Sequence, residues 1–196
     1  MAKRKFFWSR EPEAEPVLAP KPGGAISLAD RIAAGPLPVA ETLHYAIATA
    51  EALRAVHGRG RVHAFLQPAS IAIRDHRVQL GPSGPMAISP YFSPEQVAGH
   101  DLDLRSDISS LGAVMYEMLS GRKAFDAASK AALRFEILDR QPAPLQNVPP
   151  ALSKLVMRCL EKKPERRVQR MEILLAVLKL QEIMAARAQG TAAGGE

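Results

Sequence analysis

Apolar residues recur along this chain at three- and four-residue intervals, broken by only one stretch of strict alternation. In "PVAETLHYAIATAEALRAVHGRG", Val39, Leu43, Ala46, Ile47, Ala50, Leu53 and Val56 keep the helical spacing, and Gly58 ends it. That pattern predicts a long amphipathic helix. Just before it, "SLADRIAAG" places a Ser cap, an early Asp30 and a Gly35 stop around a short helix. The alternating stretch comes next. "SIAIRD" and "RVQL" are short and β-branched, joined at Asp75-His76, and read as one small hairpin.

After residues 81–92, too rich in Pro and Gly for a regular element, the helical spacing returns. A short helix is expected around 94–98, and then "DLRSDISSLGAVMYEMLSG", apolar on most of its circumference. A helix apolar nearly all round is buried. Three more helices are expected at about 127–139, 149–162 and 168–186, leaving residues 187–196 as a disordered tail. The fold class is therefore mainly α, one helical domain over residues 27–186 with a single small β-hairpin. Residues 11–26 read as a Pro/Gly-rich linker, and residues 1–10 as a basic-aromatic head.

Composition narrows the function classes. Hydrophobic residues make up 47% and charged ones 23% of the 196, an ordinary globular balance with room for one real core. No apolar run reaches the roughly 18 residues of a membrane span. The start lacks the apolar core of a secretory signal, and the single Cys159 excludes an internal disulfide, so a cytoplasmic protein is expected. The net charge of +6 comes largely from the head and from residues 158–170, where Glu161 and Glu165 interleave the cations. That is a solvated face without aromatics to stack bases, so no nucleic-acid partner is expected. No His, Cys or carboxylate cluster has ligand spacing, so no metal is expected. The head combines four cations with Phe6, Phe7 and Trp8. It suits the inner face of a membrane or a groove on a larger assembly, against the plainer alternative of a terminus without a role.

Several stretches, in order, resemble the C-terminal lobe of a protein kinase of the bacterial Ser/Thr type. "VHAFLQPASI" resembles the frame of a catalytic loop, VHRDLKPANI, with His63, Leu66, Pro68 and Ile71 in place. "YFSPEQVAG" is similar to the motif closing an activation segment, "DLRSDISSLGAVMYEMLSGRKAF" to the buried central helix with its Gly112, and "LVMRCLEKKPERRV" to the late Pro-x-x-Arg motif. The resemblance implies that Glu95 pairs with Arg167, since an unpaired buried carboxylate is costly. It implies too that Asp107 holds the backbone of the loop, the plainer alternative being a cap on its own helix. His63 and His57 are read as packing or hydrogen-bonding residues.

The same resemblance marks replacements. Ala64, Phe65, Gln67 and Ser70 stand where the family has Arg, the catalytic Asp, Lys and the metal-binding Asn, and Pro82-Ser83-Gly84 stands for Asp-Phe-Gly. Phosphoryl transfer rests on positioning and charge neutralisation by such groups. With no Gly-rich loop upstream, an N-lobe is also taken to be absent. The expectation is thus a chain that is not an enzyme, with no cofactor and no ATP binding. It would be a pseudokinase-like scaffold that docks on a protein partner or multi-subunit assembly. Its partner surface is expected at Phe65, Leu66, Pro82, Met86 and Ile88, where a partner or the linker lies, with Phe65 either an interface anchor or a core filler. The alternative is half of a Ser/Thr kinase completed in trans by a separate N-lobe.

Overall fold

The computed structural model describes residues 24–81 and 87–193, with side chains to residue 187. The first element differs from the sequence reading. Ile26, read as the last linker residue, instead forms with Ser27 a short strand, β1, pairing antiparallel with β2 (Ile71–Arg74), which pairs with β3 (Arg77–Leu80). The expected hairpin is thus part of a three-stranded sheet in the order β1-β2-β3. Two residues of β1 carry no alternation for a pattern to detect. The hairpin turn itself has Asp75 and His76 at φ 48° and 59°, the left-handed backbone of a two-residue turn whose twist matches its strands.

Ser27 is both the end of β1 and the cap of α1 (Leu28–Ala33). Its hydroxyl accepts the Asp30 N–H at 3.1 Å while Asp30 accepts the Ser27 N–H at 3.0 Å, a reciprocal capping box. α2 (Val39–His57) follows and packs against α7 (Met171–Ala193), α4 (Leu104–Ser120) and β3. α4 is the buried helix the pattern predicts: every residue from Ser106 to Leu119 is buried. Asp103 caps it, accepting the Arg105 N–H at 2.8 Å, and Gly121 ends it at φ 68°.

α3 (Pro94–Ala98), α5 (Lys130–Asp139) and α6 (Pro150–Cys159) fall close to their expected positions. α7 does not stop at 186; it runs through Ala193 into the stretch expected to be a tail. Between α5 and the end of α6, Lys162 works as a clasp. Its ammonium donates to the carbonyls of Glu136 at 3.2 Å and Ile137 at 2.7 Å, and lies 4.0 Å over the Phe125 ring. Cations are favourable at helix C-termini and over aromatic faces.

Helix α4 crosses α6 at Gly112. A Cβ built on Gly112 would lie 2.7 Å from the Cβ of Cys159 and 3.3 Å from the Leu160 side chain. Cys159 is fully enclosed there, and burial pushes its thiol up to about 12, so it packs as an apolar residue. The close approach sets the price of any larger side chain at position 112. Gly112→Ala gains about 1 kcal/mol of helix propensity but meets an overpacking cost of about 1–3 kcal/mol. The expected result is a lower melting temperature; a melt equal to or above that of the unsubstituted protein would refute the tight crossing.

Candidate functional site

The loop "VHAFLQP" lies between the end of α2 and β2, and its shape is imposed from α4 beneath it. Asp107, fully buried, accepts the backbone N–H of His63 at 2.8 Å on Oδ2 and that of Ala64 at 2.7 Å on Oδ1. His57, near the C-terminus of α2, adds its Nε2 at 2.7 Å from Oδ2. One carboxylate thus ties the long helix, the loop and the central helix together. The plainer alternative for Asp107 is corrected: Asp103 caps α4, while Asp107 reaches outward to the loop and α2.

Ala64 sits at φ 69°, a conformation that L-residues avoid unless the surroundings hold them there. It is held from both sides: Asp107 takes its N–H, and the Gln96 side-chain amide donates to its carbonyl. Gln96 in turn accepts the Ser93 N–H at 2.8 Å, closing the cap of α3. Sequence reading missed this brace, although Ser93-x-x-Gln96 has the capping-box spacing that would have marked it. His63 is buried, with Nε2 at 3.2 Å from the Gly81 carbonyl, a hydrogen-bonding role as expected.

The remaining positions behave differently from one another. Ser70 is turned back onto its own loop, its hydroxyl donating to the Gln67 carbonyl at 2.9 Å and accepting the Gln67 N–H at 3.1 Å. Leu66 is corrected from surface to core, at 1% exposure. Phe65 is partly buried and its ring meets Phe92 edge to face, centroids 5.9 Å apart, so it packs on the core without being enclosed by it. Ile88 is also partly buried. Pro82, Ser83, Gly84 and Met86 lie outside the described residues, as do Phe6, Phe7 and Trp8.

Glu95 and Arg167 meet as the resemblance implies, across bonds of 2.7 and 2.6 Å. Arg167 is 1% exposed and spends all five of its N–H donors. Besides the two carboxylate oxygens it reaches the carbonyls of Glu161, Arg105 and Lys162 at 2.7, 3.0 and 2.9 Å. Ser106 adds its hydroxyl to Glu95 at 2.6 Å. This pair joins α3, the start of α4 and the segment before α7. A second buried acid was not foreseen: Glu117 accepts the Tyr91 hydroxyl at 2.6 Å, and burial first, then that bond, push the phenol well above its ordinary range. Nothing in the spacing of Tyr91 and Glu117 announces it.

Among the described residues, no group of three His, Cys, Asp or Glu side chains gathers at metal-ligand distance. Nor is any helix among them long and apolar enough to cross a membrane.

The protein kinase domain family matches residues 22–177 of this chain. A probable serine/threonine-protein kinase of Clostridium acetobutylicum is 33% identical over 147 residues, 65% of this chain and 22% of that protein. A serine/threonine-protein kinase of Myxococcus xanthus is 32% identical over 171 residues, 73% of this chain and 21% of its own length. PknB of Mycobacterium leprae is 28% identical over 156 residues, 69% of this chain and 25% of its own. The chain thus spans about a fifth to a quarter of the length of these relatives. The matches correct the expectation that the chain is not an enzyme. A protein kinase domain with relatives named as serine/threonine-protein kinases points to an enzyme.

Two predictions follow from the geometry. Burial opposes the charge on Glu95, but the Arg167 hydrogen bonds, its charge and the Ser106 hydroxyl outweigh it and hold the carboxyl below its ordinary value. A depressed folded value means stability that is present above the unfolded pKa and lost as pH falls through the folded one. Glu95→Gln should therefore melt lower at neutral pH, by about 3–5 kcal/mol, and show a flatter acid limb. An unchanged acid limb would remove Glu95 from the acid sensitivity. Asp107→Asn turns an amide N–H₂ toward a backbone N–H and leaves that donor unsatisfied, a cost of about 1–3 kcal/mol. Amide exchange at His63 and Ala64 should rise in that variant; protection as in the unsubstituted chain would refute the bracing role.

Proposed function

The chain belongs to the protein kinase domain family, and on that premise we propose that it serves a serine/threonine-kinase-type assembly as a helical lobe that docks on a protein partner through its catalytic-loop face. The observation that carries this reading is Phe65. The loop around it is held in full by Asp107 and Gln96. On that rigid frame stands an aromatic ring that packs edge to face on Phe92 and stays incompletely covered. Interfaces are anchored by such rings on pre-organised backbone, where little entropy is lost on binding. Ile88 extends the same face. Gln67 and Ser70 then serve the loop's shape.

A second reading is favoured by the names of the relatives. The chain would supply one half of a Ser/Thr protein kinase, with a separate N-lobe packed over the same face and ATP held between the two. Both readings put a partner on Phe65; they differ in what the joined surfaces bind.

Phe65→Ala should weaken partner capture from the native cell while the Asp107-held frame stays folded, as judged by circular dichroism and melting. Equal capture by the two proteins would sink the docking surface. Thermal shift of the captured complex with ATP and Mg²⁺ separates the readings. A ligand present at about 100 times its Kd stabilises by about 2.7 kcal/mol, so a Mg²⁺-dependent rise supports the kinase half and no rise would sink that reading.

A further inference from the structure

Helix α7 is apolar on two sides. Leu174, Leu175 and Leu178 lie on the buried side, and the helix packs on α2 and α6. The other side is open. Seven large apolar side chains are exposed among the described residues, and four of them, Ile173, Leu180, Ile183 and Met184, belong to this helix, each about half uncovered. Single exposed apolar residues need no explanation, but a contiguous row marks a contact. Ile173, the half-buried Val177, Leu180 and Met184 follow one another at intervals of four, three and four. That is the heptad seam by which one helix packs against another, and Ile183 widens it. Gln181 is the last buried residue of α7 among those described, and the helix continues to Ala193. The row thus runs out past the packed part of the domain.

The same spacing ends on a cation at both sides. Arg170 comes three residues before Ile173 and Arg187 three after Met184, and both are exposed. Arg170 is fixed at the first turn of α7, its carbonyl accepting the N–H of Ile173 at 3.2 Å and of Leu174 at 3.3 Å. The other charges of the helix fall off the row. Glu172 and Glu182 take outer positions of the heptad, and Lys179 is held by Glu51 of α2 at 2.7 Å. The arginines decide against a second copy of this chain as the occupant. Antiparallel copies that match Ile173 with Met184 and Val177 with Leu180 bring Arg170 onto Arg187 at each end, and parallel copies bring each arginine onto itself. Like charges across an interface reject a partner, and opposite charges select one.

We propose that the open side of α7 docks an amphipathic helix of a protein partner, one whose apolar row is closed by a carboxylate at each end. The partner's apolar side chains fill the holes between Ile173, Val177, Leu180 and Met184, and its carboxylates meet Arg170 and Arg187. Apolar burial supplies the affinity, and the two arginines fix the register, since a slip of one turn strands a carboxylate against an apolar residue. Because both arginines are exposed, their share weakens with salt. None of these residues belongs to the Phe65 face, so α7 would hold its helix whatever covers that loop.

The probe is a labelled synthetic helix with leucines in the matching heptad row, Ala and Gln elsewhere and a Glu at each end, titrated with the full chain and followed by fluorescence anisotropy. It should bind more tightly than the same helix ended with Lys, and a scrambled peptide of equal composition should not bind. Leu180→Lys should weaken binding by about tenfold. Met184→Lys should do the same; it lies past the last buried residue of α7, so melting should not change and lost binding reports the surface. Arg170→Glu with Arg187→Glu should reverse the preference toward the Lys-ended helix, and Phe65→Ala should leave it as it was. Absence of binding, equal binding of the Glu-ended and Lys-ended helices, or indifference to Leu180→Lys and Met184→Lys would overturn the proposal. Sedimentation that finds a dimer undone by Leu180→Lys would give the seam to a second copy and overturn it too. So would pelleting with anionic vesicles that Leu180→Lys abolishes, which would give it to a lipid surface.

Discussion

A carboxylate buried in the central helix organises this molecule. Asp107 has no exposed surface, and an isolated charge there would be far too costly to keep. It is kept because two backbone amides and an imidazole point at it from 2.7–2.8 Å. The amides belong to the loop and the imidazole to the long helix. The cost of burial is thus offset only when three separate elements are in place at once, so the charge specifies their arrangement as well as stabilising it. Charge-assisted hydrogen bonds of this kind lose most when one partner shifts, which keeps the loop rigid.

The same logic is repeated at Glu95 and Arg167, where every guanidinium donor finds an acceptor and a serine hydroxyl completes the carboxylate. The two networks meet around α3. Glu95 ties it to the late Arg167, and Gln96, the next residue, ties it to the loop at Ala64. The loop's shape is therefore written in backbone amides and carbonyls. The bonds that hold the frame thus do not depend on the side chains of Ala64 and Phe65. On this frame the Phe65 ring packs edge to face on Phe92 and stays partly open.

Much of this was legible before any coordinates. Long helices with one apolar face, such as α2, or with apolar residues all round, such as α4, declare themselves because their burial is periodic. Capping residues and the Asp75-His76 turn are local and equally readable. The misreadings share a cause. β1 is two residues long, Leu66 lies next to Phe65 in a loop without periodicity, and α7 runs through Ala193 in a sequence of small residues and glycines. In each case neighbours in space, or continuation of a helix already begun, decided what neighbours in sequence did not express. The pairing of Glu95 with Arg167, 72 positions apart, came from motif resemblance; nothing local in either residue names the other.

By itself the sequence determined the fold class, the order of the helices, the buried central helix and the frame of the loop, since these follow from periodicity, caps and motif spacing. Only the tertiary structure decided which acids are buried and by whom they are satisfied, that Leu66 faces the core while Phe65 stays partly open, and that α3 braces the loop through Gln96. Those outcomes depend on which groups lose water when distant elements pack. Loss of water is a property of the packed surface, and no stretch of the chain carries it alone.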